Sequence, residues 1–397
     1  MAKRLPSNLS INLLSKKNWA FLFYFGLSTI ALIKILVQPS NNYLIFKHTF
    51  YHLIHQQNLF LDYPKLYFDS NHYGPVFSVL MAPFAVLPDS LGVILWVIFN
   101  ICLLLYAIYQ LPLSHQNKVI VVWICAHELM TAIYSSQFNP AMTALIVLSF
   151  TFIEKRKEPW AAFCIILGTL IKLYGIVGLA FFFFVKNKPK FVLWLIVWSA
   201  ILFVLPMLFS SPHYVVQTYQ EWYYSLIMKD GLNSISTMQD ISVMGMIRRV
   251  FNYPTLSNIV VLIPGILLFG TSYLNIKSFK ETNFRLLILA STLLFTVIFS
   301  SGSESPTYII AFVGLAIWFG IQPRPISTFN WILLILAIVI CSLSPSDLFP
   351  TYIKLNYIRP YSLKALPCFL IWLKIIYETW IYRPNINTYH NPNIIYE

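Results

Sequence analysis

The sequence predicts an all-α protein, a polytopic bundle of transmembrane helices with about ten spans and two broken or re-entrant pieces. Three observations carry that expectation. Hydrophobic residues make up 58% of the 397-residue chain. Charged residues make up 10%, against about a quarter in a soluble domain, too few to coat a water-facing surface. Apolar runs near the roughly 20 residues that a spanning helix needs recur along the whole length. Together these exclude an ordinary soluble enzyme, a disordered chain and a disulfide-stapled secreted domain. The five cysteines (Cys102, Cys125, Cys164, Cys341 and Cys368) all lie in apolar stretches. Without a CxxC pair or a His at ligand spacing, they read as small packing residues.

A basic segment, 1–17, leads into a first span at 18–37 that is too long for a signal peptide's apolar core and lacks a cleavage-site pattern. Further spans are expected at 91–110, 119–135, 139–154, 189–209, 256–272, 284–300, 305–321, 329–345 and 363–379. One integral membrane domain therefore covers 1–397, with a first extracytoplasmic loop at 38–74, a second large one at 210–255 and a third at 346–362. Two apolar pieces fit poorly as spans. Residues 75–88 are short and carry Pro75, Pro83 and Pro88, which break helical hydrogen bonding, so a re-entrant or interfacial piece is expected. Residues 160–184 hold Gly168, Lys172 and Gly175 in their middle and read as one span or a broken hairpin.

The 27 Lys and Arg residues decide between those two. If 160–184 returns to its starting side, both termini are cytoplasmic. Sixteen of the 27 then lie inside, seven outside and four in or at the membrane. A single crossing gives 13 to 10 instead. The positive-inside rule prefers the hairpin. The net charge of +13 is scattered between apolar runs, so it reads as a topology signal, and no nucleic-acid partner is expected.

The fourteen acids are few enough to weigh one by one. The first outer loop carries Asp62, Asp69, His72 and Tyr73, together with His48, His52 and His55 at i, i+4 and i+7 on one helix face. A metal site on that face competes with the plainer reading, an interfacial amphipathic helix. Glu128, beside His127 within a span, and Lys172 are ionisable groups at membrane depth, which mark a cavity, a relay or a mutual pairing. Gln137 and Asn139 form a short outward turn whose amides suit sugar hydroxyls, although Asn-Pro also simply favours a turn. Glu304 stands before Pro306 at the mouth of a span, where it suits a helix N-terminus. Asp240 precedes Arg248 and Arg249, a pair expected either to clasp a phosphate or to snorkel at the membrane surface. All of the outer acids, amides and arginines fall on one side of the expected topology. That placement suits a lipid-linked polar substrate, with its tail between helices, its phosphate near Lys or Arg, and its head among carboxylates and amides.

The order of these residues adds a resemblance. A first span is followed by Asn41-Asn42-Tyr43, then Tyr67-Phe68-Asp69 and Tyr73-Gly74-Pro75. Next come the Gln137-Phe138-Asn139 turn, Gly168 and Ile171-Lys172-Leu173. Over most of 20–320 the chain resembles glycosyltransferase family 87, polytopic enzymes of the GT-C type. The resemblance implies transfer of a mannose-like hexose from a polyprenyl-phosphate donor to a lipid-linked or cell-envelope glycan acceptor. It places the reaction on the extracytoplasmic face of the plasma (inner) membrane, among membrane lipids. Many relatives carry an Asp base where Asn42 stands here. An amide cannot take a proton, so Asp69 is the replacement expected, then Asp62, with Glu304 and Asp240 in reserve.

In that mechanism Asp69 deprotonates the attacking acceptor hydroxyl and the anomeric carbon inverts. The departing phosphate is held by Lys172, Arg248 or Arg249. Asn42, His72, Tyr73, Gln137, Asn139 and Asp240 complete the substrate contacts. No metal or other cofactor is expected, because a monophosphate leaving group carries less charge than a nucleoside diphosphate. The competing class is a transporter or flippase, which broken helices and intramembrane Glu128 and Lys172 would suit. Against it, no inverted repeat is visible, and the polar residues crowd one face.

Overall fold

A computed structural model describes residues 17–236 and 238–384. Among the described residues every regular element is helical and none is a strand. In chain order the helices are α1 (Lys17–Val37), α2 (Asn41–Ile54), α3 (Pro75–Ala85), α4 (Asp89–Gln110), α5 (His115–Tyr134), α6 (Asn139–Glu154), α7 (Glu158–Lys172), α8 (Lys188–Val204), α9 (Pro212–Ile235), α10 (Val243–Val250), α11 (Asn258–Thr271), α12 (Thr282–Ile298), α13 (Tyr308–Gly320), α14 (Thr328–Ala337) and α15 (Ala365–Ile381). Several start on a hydroxyl or amide N-cap. Ser114, Asn187, Ser211 and Ser327 each accept from the backbone N–H three residues on, relieving one of the orphan donors of a helix start.

The core is the contact of α6, α12 and α13. Every residue of α13 from Tyr308 to Gly320 is buried, and Gly314 lets α13 approach α12 until a Cβ there would meet the Ala290 carbonyl at 2.8 Å. The peripheral helices are apolar yet open. In α8 only Phe191 and Leu202 are buried, and in α11 only Gly265. An apolar helix left unburied by its own protein faces lipid. Four stretches are long and apolar enough to cross a membrane: Lys17–Val37, Asp89–Gln110, Glu158–Phe184 and Lys188–Leu208. The remaining apolar helices are shorter, at 10–17 residues.

Two pieces position the site. The stretch 75–88, expected to be a re-entrant or interfacial piece, forms an 11-residue helix, α3, shorter than a full span. Pro75 sits in its first turn, where the missing N–H is one of the orphans anyway. The helix contains Pro83 and ends ahead of Pro88. The stretch 160–184 folds back on itself. After α7 the backbone breaks at Lys172 and Leu173 and returns as a 3₁₀ helix, Leu173–Phe184. Gly168 then meets Gly175, where a Cβ on Gly168 would lie 3.0 Å from the Gly175 Cα. A Cβ on Gly178 would lie 2.6 Å from Ile165. At the open end Glu158 stands 3.9 Å from Lys190. The hairpin thus begins and ends at one end of the bundle and lifts Lys172 to the other.

Candidate active site

At the end of the bundle where Lys172 emerges, two adjoining chambers open, of about 370 and 740 Å³. Asn42, Asp69, Gln137 and Glu304 line both and so form the wall between them. These four come from four separate parts of the fold: the first turn of α2, the strap between α2 and α3, the turn between α5 and α6, and the start of the segment leading into α13.

Each wall residue is held by local chemistry. Asn42 donates to the Ser135 carbonyl at 2.8 Å, tying α2 to the α5–α6 turn. Gln137 accepts from the Tyr73 hydroxyl at 2.9 Å, and Tyr73 stacks on Phe77 at 4.5 Å. Glu304 caps the short helix Ser305–Thr307 and accepts from Gln239 at 3.2 Å. Burial pushes its carboxyl above the ordinary range, while Lys172 and Lys229 pull it back. Asp69 has a left-handed backbone, φ 70°, and its side chain is 61% exposed, 3.9 Å from Lys229. The strap can run this close to α7 only because residue 74 is glycine. The Gly74 N–H donates to the Ile171 carbonyl at 2.9 Å, and a Cβ would collide with the Leu170 carbonyl oxygen.

Polar side chains outnumber apolar ones around the first chamber, which Ile45, Phe46, Leu173 and Leu226 also line. Besides the wall it is lined by Ser70, Asn71, His72, Tyr73, Lys172, Tyr174, Lys229, Asp230, Asn233 and Ser300–Gly302. Lys172 donates to Asn139 at 3.0 Å and lies over the rings of Tyr73 and Tyr174. Burial is the main force that lowers the His72 imidazole to about 4; Lys229 and Lys172 add to it and Asp69 opposes. The ring is therefore neutral at physiological pH and shares a hydrogen with Ser225 at 2.9 Å. Because its folded pKa lies below the ordinary 6.5, the stability this ring contributes is present above that value. It is lost as pH falls toward about 4. Thermal unfolding compared at pH 7 and 4.5 is expected to show a loss on the order of 2 kcal/mol from this ring, which His72→Gln abolishes.

The second chamber combines cations with apolar residues. Lys34, Lys354, Arg359 and Lys364 line it together with Ile30, Ala31 and Met130, and Asp347 stands 4.0 Å from Lys354. Lys34 rests over the Tyr134 ring at 4.2 Å, and Lys354 donates to the Ser346 carbonyl at 3.1 Å. Lys364 is committed to Glu128 at 3.4 Å and Ser305 Oγ at 2.8 Å.

Of the residues expected from sequence, Asn42, Asp69, His72, Tyr73, Gln137, Lys172 and Glu304 meet here, with Asn139 directly behind Lys172. The others do not. Asp62 is exposed and lines neither chamber. Asp240, Arg248 and Arg249 also line neither. Arg248 is fixed by Asp240 Oδ2 at 2.5 and 3.1 Å, by the Leu256 carbonyl and by Asn258. Arg249 donates to the carbonyls of Ser236 and Gln239. Their guanidinium groups hold the 236–258 segment together instead of facing the cavity. His52 packs at 4.1 Å on Tyr63, and no group of three metal-ligating side chains exists among the described residues. Sequence reasoning missed the α9 face that closes the first chamber. Its signal was present: Trp222, Leu226, Lys229 and Asn233 recur at helical spacing.

The architecture defines a class, an apolar helical membrane protein whose polar residues converge on a cavity at one end. The model for "Glycosyltransferase family 87" matches residues 71–301, more than half of the chain, and the chain belongs to that family. It is a membrane glycosyltransferase, acting on a sugar donor and an acceptor. No curated protein matches it.

Proposed function

We propose that the protein transfers a mannose-like hexose from a polyprenyl-phosphate donor to a glycan or lipid-linked acceptor on the extracytoplasmic face of the plasma membrane. The observation that carries this reading is the pair of chambers sharing a carboxylate-bearing wall. One chamber is polar enough for a saccharide; the other offers cations beside an apolar flank. The donor phosphate sits among Lys34, Lys354 and Arg359, with its isoprenoid tail running out along α1. The donor sugar reaches the wall, and the acceptor hydroxyl approaches from the first chamber. Asp69 takes the hydroxyl proton as the oxygen attacks the anomeric carbon. The bond to the phosphate oxygen breaks, configuration inverts, and the cations neutralise the leaving group. Glu304, Gln137 and Asn42 orient hydroxyls. This assignment replaces Arg248, whose guanidinium is already committed to Asp240, Leu256 and Asn258, and Arg249, which lines neither chamber.

The orientation rests on charge. The end opposite the cavity carries Lys155, Lys188, Lys190 and Arg285, with Arg285 bound to Glu154 at 2.7 Å. By the positive-inside rule that end is cytoplasmic, which supports about ten crossings, the 160–184 hairpin entering from inside, and both termini cytoplasmic. The proposal is tested with Lys34→Gln combined with Arg359→Gln. The pair is expected to raise the donor KM about tenfold or more while leaving the thermal midpoint unchanged, because each cation removed weakens phosphate binding. An unchanged KM places the phosphate elsewhere.

A further inference from the structure

The strap that carries Asp69 has no regular secondary structure of its own, and one face of α9 holds it. The Trp222 indole donates to the His72 carbonyl at 2.9 Å, Ser225 Oγ bonds His72 Nδ1 at 2.9 Å, and Lys229 stands 3.9 Å from Asp69. These positions are i, i+3 and i+7, one stripe along the helix. The same face supplies Leu226, Asp230 and Asn233 to the first chamber, while Tyr223, Tyr224, Ile227 and Met228 point away and are exposed. Asp69 is a non-glycine residue in the left-handed region, a conformation that persists only where its surroundings over-determine it. Asn41 of α2 supplies part of that determination by bonding the N–H and the carbonyl of Phe68, and α9 adds to it through His72.

We infer that α9 is the positioning element of the reaction, with Ser225 and Lys229 as positioning residues that hold the Asp69 carboxylate at the wall between the chambers. The inference rests on the transfer reading given above. Neither residue takes or gives a proton; they act through the strap. The charged and titratable groups around the carboxylate are Lys229 and Asp230 from α9, His72 from the strap, Lys172 from the hairpin tip and Glu304 from the opposite wall, with Tyr73 and Tyr174 between them.

Ser225→Ala, Lys229→Gln and Lys229→Arg, with Tyr223→Ser on the outer face as control, test this in two ways. Hydrogen exchange on purified, substrate-free protein is expected to speed up at strap amides 69–73 about tenfold in Ser225→Ala, with no change in the control. In transfer assays Ser225→Ala lowers kcat about ten- to a hundredfold with the donor KM unchanged. Lys229→Gln lowers kcat in the same way, and Lys229→Arg restores it. Strap exchange unaffected by Ser225→Ala overturns the inference, as does a Lys229→Gln kcat matching wild type. A wild-type protein that transfers nothing overturns the activity reading instead, and the exchange result then decides the role of α9 by itself.

Discussion

Asp69→Asn is expected to abolish hexose transfer, lowering kcat about 10²- to 10⁴-fold, without lowering the thermal midpoint. General-base catalysis by a positioned side chain contributes about that factor, and an amide of the same shape cannot accept the proton. The fold should not suffer, because the Asp69 side chain is 61% exposed and its nearest cation, Lys229, is 3.9 Å away; such an ion pair contributes little. Glu304→Gln provides the contrast. Glu304 is buried at the same wall and hydrogen-bonds Gln239, and its amide keeps those contacts. Its replacement is expected to weaken substrate binding while transfer continues. Full activity in Asp69→Asn with total loss in Glu304→Gln would move the base to Glu304. Single-turnover kinetics with both variants separates the two assignments.

The second large effect is on stability. Arg248→Met is expected to destabilise the protein by about 3–5 kcal/mol, because removing one partner leaves the other charge buried and uncompensated. Both side chains of the Asp240–Arg248 pair are buried. Asp240 also anchors its loop: its N–H donates to the Ser301 carbonyl at 3.0 Å, and the neighbouring Ile241 N–H donates to Ser303 at 2.9 Å. The loss should therefore appear as a lowered thermal midpoint and faster proteolysis of the 236–258 segment. Replacing both partners together, as Asp240→Leu with Arg248→Met, is expected to recover most of the stability. A variant that folds normally but loses donor affinity would instead return Arg248 to the phosphate site.

That pair shows where the sequence stops being readable. Two adjacent arginines in an outer loop look available, and no pattern reveals that one of them folds back through the Ser242 cap onto Asp240. The cations of the second chamber were hidden for a related reason. Lys34 lies in α1, while Lys354 and Arg359 lie in the segment ahead of α15, so only the tertiary fold brings them to one wall. The α9 helix was read as loop because its residues mix Tyr, Gln, Glu, Lys and Asn without an apolar run. Its inward stripe acquires meaning only with the strap beside it. By contrast, the reversal at Lys172 has a local signature: glycines that permit close backbone approach flank a charge inside an apolar run. The wall residues were legible because in an apolar chain polar side chains are rare, and Asn42, Gln137 and Glu304 each occupy the mouth of a helix while Asp69 is one of two acids in the first outer loop. Within 75–88, Pro75 in a first turn leaves a short helix intact.

The central claim, that the two chambers carry out transfer from a lipid-phosphate donor, is tested most directly with purified wild-type protein in lipid and a radiolabelled polyprenyl-phosphate hexose. Release of free polyprenyl phosphate with label appearing in the acceptor, lost in Asp69→Asn and slowed at low donor concentration by Lys34→Gln with Arg359→Gln, is the expected result. Label that stays on the lipid across a series of hexoses and acceptors, while the same protein moves the intact donor between leaflets, would contradict it.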